Sequence, residues 1–174
     1  MDSAFGARPR REVFQCADDR VNRCHVMKIT EALMAEHVVF QTLFDHIERT
    51  TPKLQSLAEV KSLAAVLEST LSAHSRTEDT LLIEPMDHCL EQMGQADRFH
   101  QEHREIDSSL AEIRAARQVK SARSLLLRAV AYSRNHFDKE ERILFPLAEK
   151  VLKARTLRTL ACDWMKQREA ASGR

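Results

Sequence analysis

Apolar residues recur at spacings of three and four along most of the chain, the period of a helix that buries one face. Between about Lys28 and Arg49 the stripe is Ile29, Leu33, His37, Phe40 and Phe44, with a histidine in its middle. Thr51-Pro52 ends that segment and opens a turn. Ser56, with Glu59 three residues on, is a capping-box start for a second helix. Its stripe runs Val60, Leu63, Leu67, Leu71, His74, Glu78 and Leu81 or Leu82, and reaches Pro85. Gly94, the only glycine between Gly6 and Gly173, is the place for the chain to reverse at mid-sequence. A third helix from about Ala96 to Arg117 carries Phe99, His103, Ile106, Leu110 and Ile113 on one face. A fourth, from near Ser121, carries Leu125, Ala129, Tyr132, His136, Glu140 and Leu144. Beyond Pro146, Leu147 to about Glu169 reads as a fifth helix that packs Val151, Leu157, Leu160, Ala161 and Trp164 on the rest.

The polar members of these stripes repeat. Glu36-His37 followed by His74-x-x-x-Glu78 returns as Glu102-His103 followed by His136-x-x-x-Glu140. His37 and His103 are 66 residues apart and His74 and His136 are 62 apart, so two helical hairpins stand nearly in register. Each H-x-x-x-E is also followed by apolar residues and a proline, Pro85 or Pro146. Two such hairpins about a pseudo-twofold axis make an all-α, up-down four-helix bundle, here with an additional C-terminal helix. Residues 1–26, polar and without sustained period, read as a flexible N-terminal tail. The expected division is 1–26 tail, 27–150 bundle and 151–174 C-terminal helix packed on it.

Composition agrees and removes some functions. Three glycines and four prolines in 174 residues, among abundant Ala, Leu, Glu, Lys and Arg, fit helices with short connections. Net charge is +1, from 27 basic and 26 acidic residues, so nothing global points to nucleic acid or to an anionic membrane. No apolar run approaches the roughly 20 residues that span a bilayer. Cys16, Cys24, Cys89 and Cys162 form no C-x-x-C pair and no hydrophobic leader precedes them, which reads as reduced thiols in a cytoplasmic protein.

Histidine and glutamate four apart on a helix share a face, so both reach one small object, and a metal ion is the natural candidate. A lone histidine on an apolar face is more often a hydrogen-bonded core residue. Four of them, His37, His74, His103 and His136, joined by the buried carboxylates Glu78 and Glu140, change that balance, because unpaired buried carboxylates are costly. Inward-facing side chains on neighbouring helices build ligand sites in bundles. Two carboxylates bridging two ions, with two imidazoles capping each, describe a dinuclear site with positions left open. Such mixed ligation suits iron, and also manganese or zinc, better than calcium or soft-thiolate metals.

The pattern of His37, His74 with Glu78, His103, and His136 with Glu140 followed by Ile143-Leu144-Phe145-Pro146 resembles the hemerythrin-like HHE cation-binding domain, over about Lys28 to Lys150. The resemblance implies two iron ions with an oxo or hydroxo bridge. It implies His37, His74, His103 and His136 as terminal ligands, with Glu78 and Glu140 as bridges. It also implies a small-molecule ligand such as O2, nitric oxide or peroxide. Two positions depart from the oxygen-carrying members. These have histidines four apart on the third helix, where this chain has Phe99 before His103. Their last helix has histidine and aspartate five apart, where Glu140 follows His136 at four and Glu141 at five. The departures favour redox chemistry over simple oxygen carriage. The alternative is an iron-dependent sensor, a storage or repair protein, or an iron-homeostasis module.

Smaller expectations attach to the neighbours. His100 is a candidate fifth histidine of the site, and more often such a residue is a partly exposed neighbour. Glu36, Glu102 and Glu141, each beside a ligand candidate, are expected to be solvated or to orient an imidazole. Tyr132 is either a hydrogen-bond donor to a bound oxygen species or ordinary core. Phe40, Phe44 and Phe99 either wall the open position or fill the bundle. His25, His46 and His88 are expected at the surface.

Overall fold

The structure, a computed structural model, describes residues 27–173; the tail expected over 1–26, with His25, Cys16 and Cys24, lies outside the described residues. Helix α1 is Ile29–Thr50. A single turn, Thr51–Lys53, places Pro52 where its missing N–H costs nothing. Helix α2 is Leu57–Glu78, started by Ser56, whose hydroxyl accepts from the Glu59 N–H at 3.2 Å while the Glu59 carboxylate accepts from the Ser56 N–H at 2.8 Å. The capping box foreseen in the sequence is therefore formed. Ser56→Ala should cost about 1 kcal/mol, the usual worth of an N-cap side chain, read as a lower denaturation midpoint with an unchanged slope.

Pro85 does not end the second rod. After α2 the chain makes a wide π turn over Asp79–Ile83 and continues as α3, Glu84–Gln92. Gly94 then reverses the chain with a φ of 64°, in the left-handed region that favours glycine. Helix α4 is Ala96–Ala115 and α5 is Val119–Lys139. A second π turn, Glu140–Leu144, leads into α6, Phe145–Val151. The fifth helix expected from Leu147 instead begins at Ala154, as α7, Ala154–Ser172. The reason is the same at both prolines. Proline sits in the first turn of the next segment, where its ring needs no carbonyl partner, so the rod passes through it.

The rods α1, α2–α3, α4 and α5–α6 form the bundle, and α7 lies against α1 and the first π turn. Buried apolar residues divide into two cores along the bundle. One holds Phe40, Phe44, Ile47, Val60, Leu67, Leu71, Ile106, Leu110, Ile113, Leu126 and Phe137. The other holds Ile29, Leu33, Leu81, Leu82, Ile83, Met86, Leu90, Phe99, Leu144, Phe145, Leu157 and Ala161, with Leu160 and Trp164 packed against it. The stripe of the fourth helix is shifted from its expected register. Leu126, Val130 and Ser133 are buried, Leu125 is only half-buried, and Tyr132 is 47 % exposed. Val151, expected to pack, is exposed as well. No helix among the described residues is long and apolar enough to cross a membrane.

Candidate metal centre

Between the two apolar cores lies a polar layer made of the six residues the repeat singles out. His37, on α1, His74 and Glu78, on α2, His103, on α4, and His136, on α5, are all buried, as is Glu140 in the second π turn. Periodicity puts each histidine on its buried stripe, and the bundle makes the four stripes converge. The π turns add what a regular helix does not. By widening one turn they rotate the residues that follow, so the rod can bury Leu81, Leu82 and Ile83, and then Leu144 and Phe145, directly after the polar layer.

Each imidazole is held from behind by a carboxylate. His74 Nδ1 donates to Glu36 at 2.8 Å and His136 Nδ1 to Glu102 at 3.0 Å. His37 Nδ1 donates to Glu141 at 2.9 Å and His103 Nδ1 to Asp79 at 3.1 Å. The arrangement obeys the repeat: in each unit the glutamate preceding the first histidine grips the second, and the acid after the H-x-x-x-E grips the first histidine of the other unit. Ionised carboxylates only accept, so each Nδ1 carries a proton and each Nε2 faces inward, where its lone pair is available to a metal ion or to a second proton.

At the centre these lone pairs meet one another and the two glutamates. His37 Nε2 is 3.2 Å from His74 Nε2 and 3.3 Å from Glu140 Oε2. His103 Nε2 is 3.6 Å from Glu78 and 3.7 Å from Glu140, His74 Nε2 is 3.8 Å from Glu78, and His136 Nε2 is 2.5 Å from Glu140. Despite this proximity, both oxygens of Glu78, both of Glu140, and Nε2 of His103 and of His136 make no aligned hydrogen bond. Only two other buried side-chain polar atoms among the described residues, on Thr51 and Arg123, share that condition. Orphaned polar atoms cost about 1–3 kcal/mol each, more when charged, so a native fold does not gather six of them without a partner in mind. Two acceptor nitrogens 3.2 Å apart require a cation between them, whether proton or metal.

Electrostatics describe the same need. Burial, and then the Glu140 charge, push Glu78 above the ordinary carboxylate range. Burial pushes Glu140 in the same direction, but His136, His103 and His37 overcome it and hold Glu140 well below that range. Burial opposes charge on His103, yet Asp79, Glu140 and Glu78 raise it to about 12; against the same opposition Glu140 and Glu102 raise His136 to about 9. The outer carboxylates move the other way. Glu36 and Glu102 are each lowered to about 2 against burial, by His74 with Arg168 and by His136 with Lys139 respectively. The layer is thus a negative pocket that holds protons when it holds nothing else.

Two sets of donors lie close enough to share an ion: Glu78, His103, His136 and Glu140, and His37, His74 and Glu140. Glu140 belongs to both. A family model, the hemerythrin HHE cation binding domain, matches residues 28–148, with a second, overlapping match over 95–172. The chain belongs to the hemerythrin HHE cation-binding family. No curated protein and no solved structure gives a significant match. Family and geometry together make this a hemerythrin-like metal-binding helical bundle whose His/Glu layer is able to hold metal.

The remaining sequence candidates lie around or outside that layer. His100 does not join it: its Nδ1 faces Asp79 at 3.1 Å, outside the imidazole ring of His103. Tyr132 points to the surface and reaches no ligand position; it borders a shallow polar hollow of about 100 Å³ beside His136. Phe99, one turn before His103, packs in the second apolar core, while Phe40 meets His74 edge-on at 5.3 Å. His46 and His88 are exposed, and Cys89 is a free thiol. Two residues escaped the sequence reading. Asp79 matches Glu141 by position, an acid five after the histidine in each unit, which was a legible signal. Phe137 stacks on His37 at 3.8 Å with ring planes 4° apart, and only the rotation of α5 reveals that.

Proposed function

We propose that this protein is a non-heme di-iron protein that binds or reacts with a small oxidant or diatomic ligand, O2, nitric oxide or peroxide, with His37, His74, Glu78, His103, His136 and Glu140 as the metal ligands. The observation that carries the reading is the inward convergence of four imidazole lone pairs and two orphaned carboxylates whose outer faces are all pinned by acids. Glu140 and Glu78 would bridge, His37 with His74 would cap one ion, and His103 with His136 the other. The donor set fits a borderline first-row metal, with iron ahead of manganese and zinc on family grounds.

When bound, the pair of ions would supply open coordination positions and electrons for a small ligand. The protein's own part is definite. Asp79, Glu36, Glu102 and Glu141 fix the imidazole tautomer and raise ligand basicity. Phe137 stacks on His37, and Phe40 and Phe137 meet His74 edge-on, so apolar rings pack against this side of the centre and keep water from it. Glu78, the carboxyl that burial most readily protonates, can hold a proton at the centre until metal displaces it. The test is elemental analysis of protein grown with adequate iron and purified without a metal-affinity step, followed by exposure of the reduced protein to nitric oxide. Two irons per chain and a new visible absorption on nitric oxide addition are expected. Absence of iron, or a loaded centre inert to nitric oxide, O2 and peroxide alike, would overturn the reading.

A further inference from the structure

The pseudo-twofold symmetry of the centre is broken outside the bundle, at Glu36. Its counterpart Glu102 is steadied by its own hairpin: Lys139, three residues after His136, donates at 2.6 Å, and Arg98, one turn earlier on α4, at 3.3 Å. Glu36 is instead held by α7. Arg168 Nε donates to Glu36 Oε1 at 2.6 Å and Arg168 Nη2 to Glu36 Oε2 at 2.9 Å, a two-pronged grip, while Trp164 Nε1 donates to Oε1 at 2.9 Å. The oxygen Oε2 is the one that accepts from His74 Nδ1. Arg168 also reaches the Ala73 carbonyl, at 3.4 Å, on the helix turn that carries His74.

We infer that α7 is a working part of the metal centre: Arg168, aided by Trp164, is a positioning residue that acts through Glu36 on His74 and makes the His37/His74 half of the centre inequivalent to the His103/His136 half. The inference rests on the ligand set proposed above. A guanidinium fork fixes the plane of a carboxylate as well as its charge, whereas an ammonium such as Lys139 fixes only a point. Glu36 therefore presents Oε2 to His74 in one orientation, and His74 presents Nε2 inward in one orientation. The link spans 132 residues of sequence and is absent from the second hairpin, so it belongs to the additional helix and not to the repeat.

The test compares Arg168→Ala, Arg168→Lys and Gln167→Ala in the full chain. Gln167 accepts from Thr77 at 3.0 Å, so its substitution loosens α7 without touching Glu36. In competition titrations with iron(II), Arg168→Ala is expected to weaken one of two positions by about 10–100-fold, the usual effect of losing support behind a ligand, and to leave the other unchanged. Arg168→Lys should recover part of the loss, and Gln167→Ala should show none. In the metal-free protein, nitrogen-15 imidazole spectra should show the His74 Nδ1 proton sharp in the unsubstituted chain and broadened by exchange in Arg168→Ala, with His136 unmoved. Equal weakening of both positions, a Gln167→Ala variant that matches Arg168→Ala, or an unmoved His74 signal would overturn the inference. An unsubstituted chain that takes up no second ion overturns the dinuclear reading instead, and the metal-free spectra still decide the role of Arg168.

Discussion

Removing metal with a chelator should lower the thermal midpoint by about 10 °C. A ligand that binds only the folded state stabilises it by about 4 kcal/mol when present at about 1,000 times its dissociation constant. In a chain of this size each kcal/mol moves the midpoint by about 2–4 °C. The folded, metal-free layer keeps Glu78 and Glu140 buried without aligned partners, between two cores made of apolar side chains. The size of the gap should depend on pH. His136, raised to about 9, and His103, raised to about 12, help the metal-free fold in full below their ordinary 6.5, and that help is lost as pH rises through their folded values. Glu36 and Glu102, lowered to about 2, stabilise it above their ordinary 4.5 and cease to as pH falls through 2. The metal-free protein should therefore be most stable between about 4.5 and 6.5 and weaken on alkalinisation. Metal must expel the imidazole protons, so its stabilisation grows over the same alkaline range. Calorimetric scans with and without chelator from pH 5 to pH 9 check this, and a gap that narrows with rising pH would contradict it.

The second large effect is expected from Glu140→Ala. Glu140 is fully buried, is shared by both donor sets, and lies within 3.7 Å of His37, His103 and His136. Without it neither position keeps a full donor set, and metal content should fall from two ions per chain towards none. Glu78→Ala should lose dinuclear binding too, but Glu78 appears in only one of the two donor sets, so a single ion at His37, His74 and Glu140 is the expected remainder. Both variants should remain helical, since the flanking cores are untouched. In Glu140→Ala the main counter-charge of His136 is gone, so imidazole titration followed by proton resonance should show His136 fall well below its present value of about 9. Undiminished iron in Glu140→Ala would refute the bridging role.

Much of this was legible in the chain because helices impose a period. Spacings of three and four placed His37, His74, Glu78, His103, His136 and Glu140 on buried faces, and the repeat set the two hairpins in register. Ser56 with Glu59, and Gly94, marked a start and a reversal through local chemistry alone: a hydroxyl that reaches an N–H, and a residue free to adopt positive φ. These are short-range constraints, and one sequence suffices to state them. The rest depends on register and on distant neighbours. Proline read as a stop because a regular helix has no place for it; two π turns made that place and carried both rods onward. The rotation of α5 against its neighbours turned Tyr132 outward and Phe137 onto His37. Which acid holds which imidazole crosses between units, as Asp79 does to His103 and Glu141 to His37, and the grip of Arg168 on Glu36 crosses nearly the whole chain. The sequence by itself determined the helices, their buried faces and the residues able to bind metal, since each follows from local period and side-chain chemistry. Only the tertiary structure decided how those donors are aimed, because aim is set by helix rotation and by contacts between segments far apart in the chain.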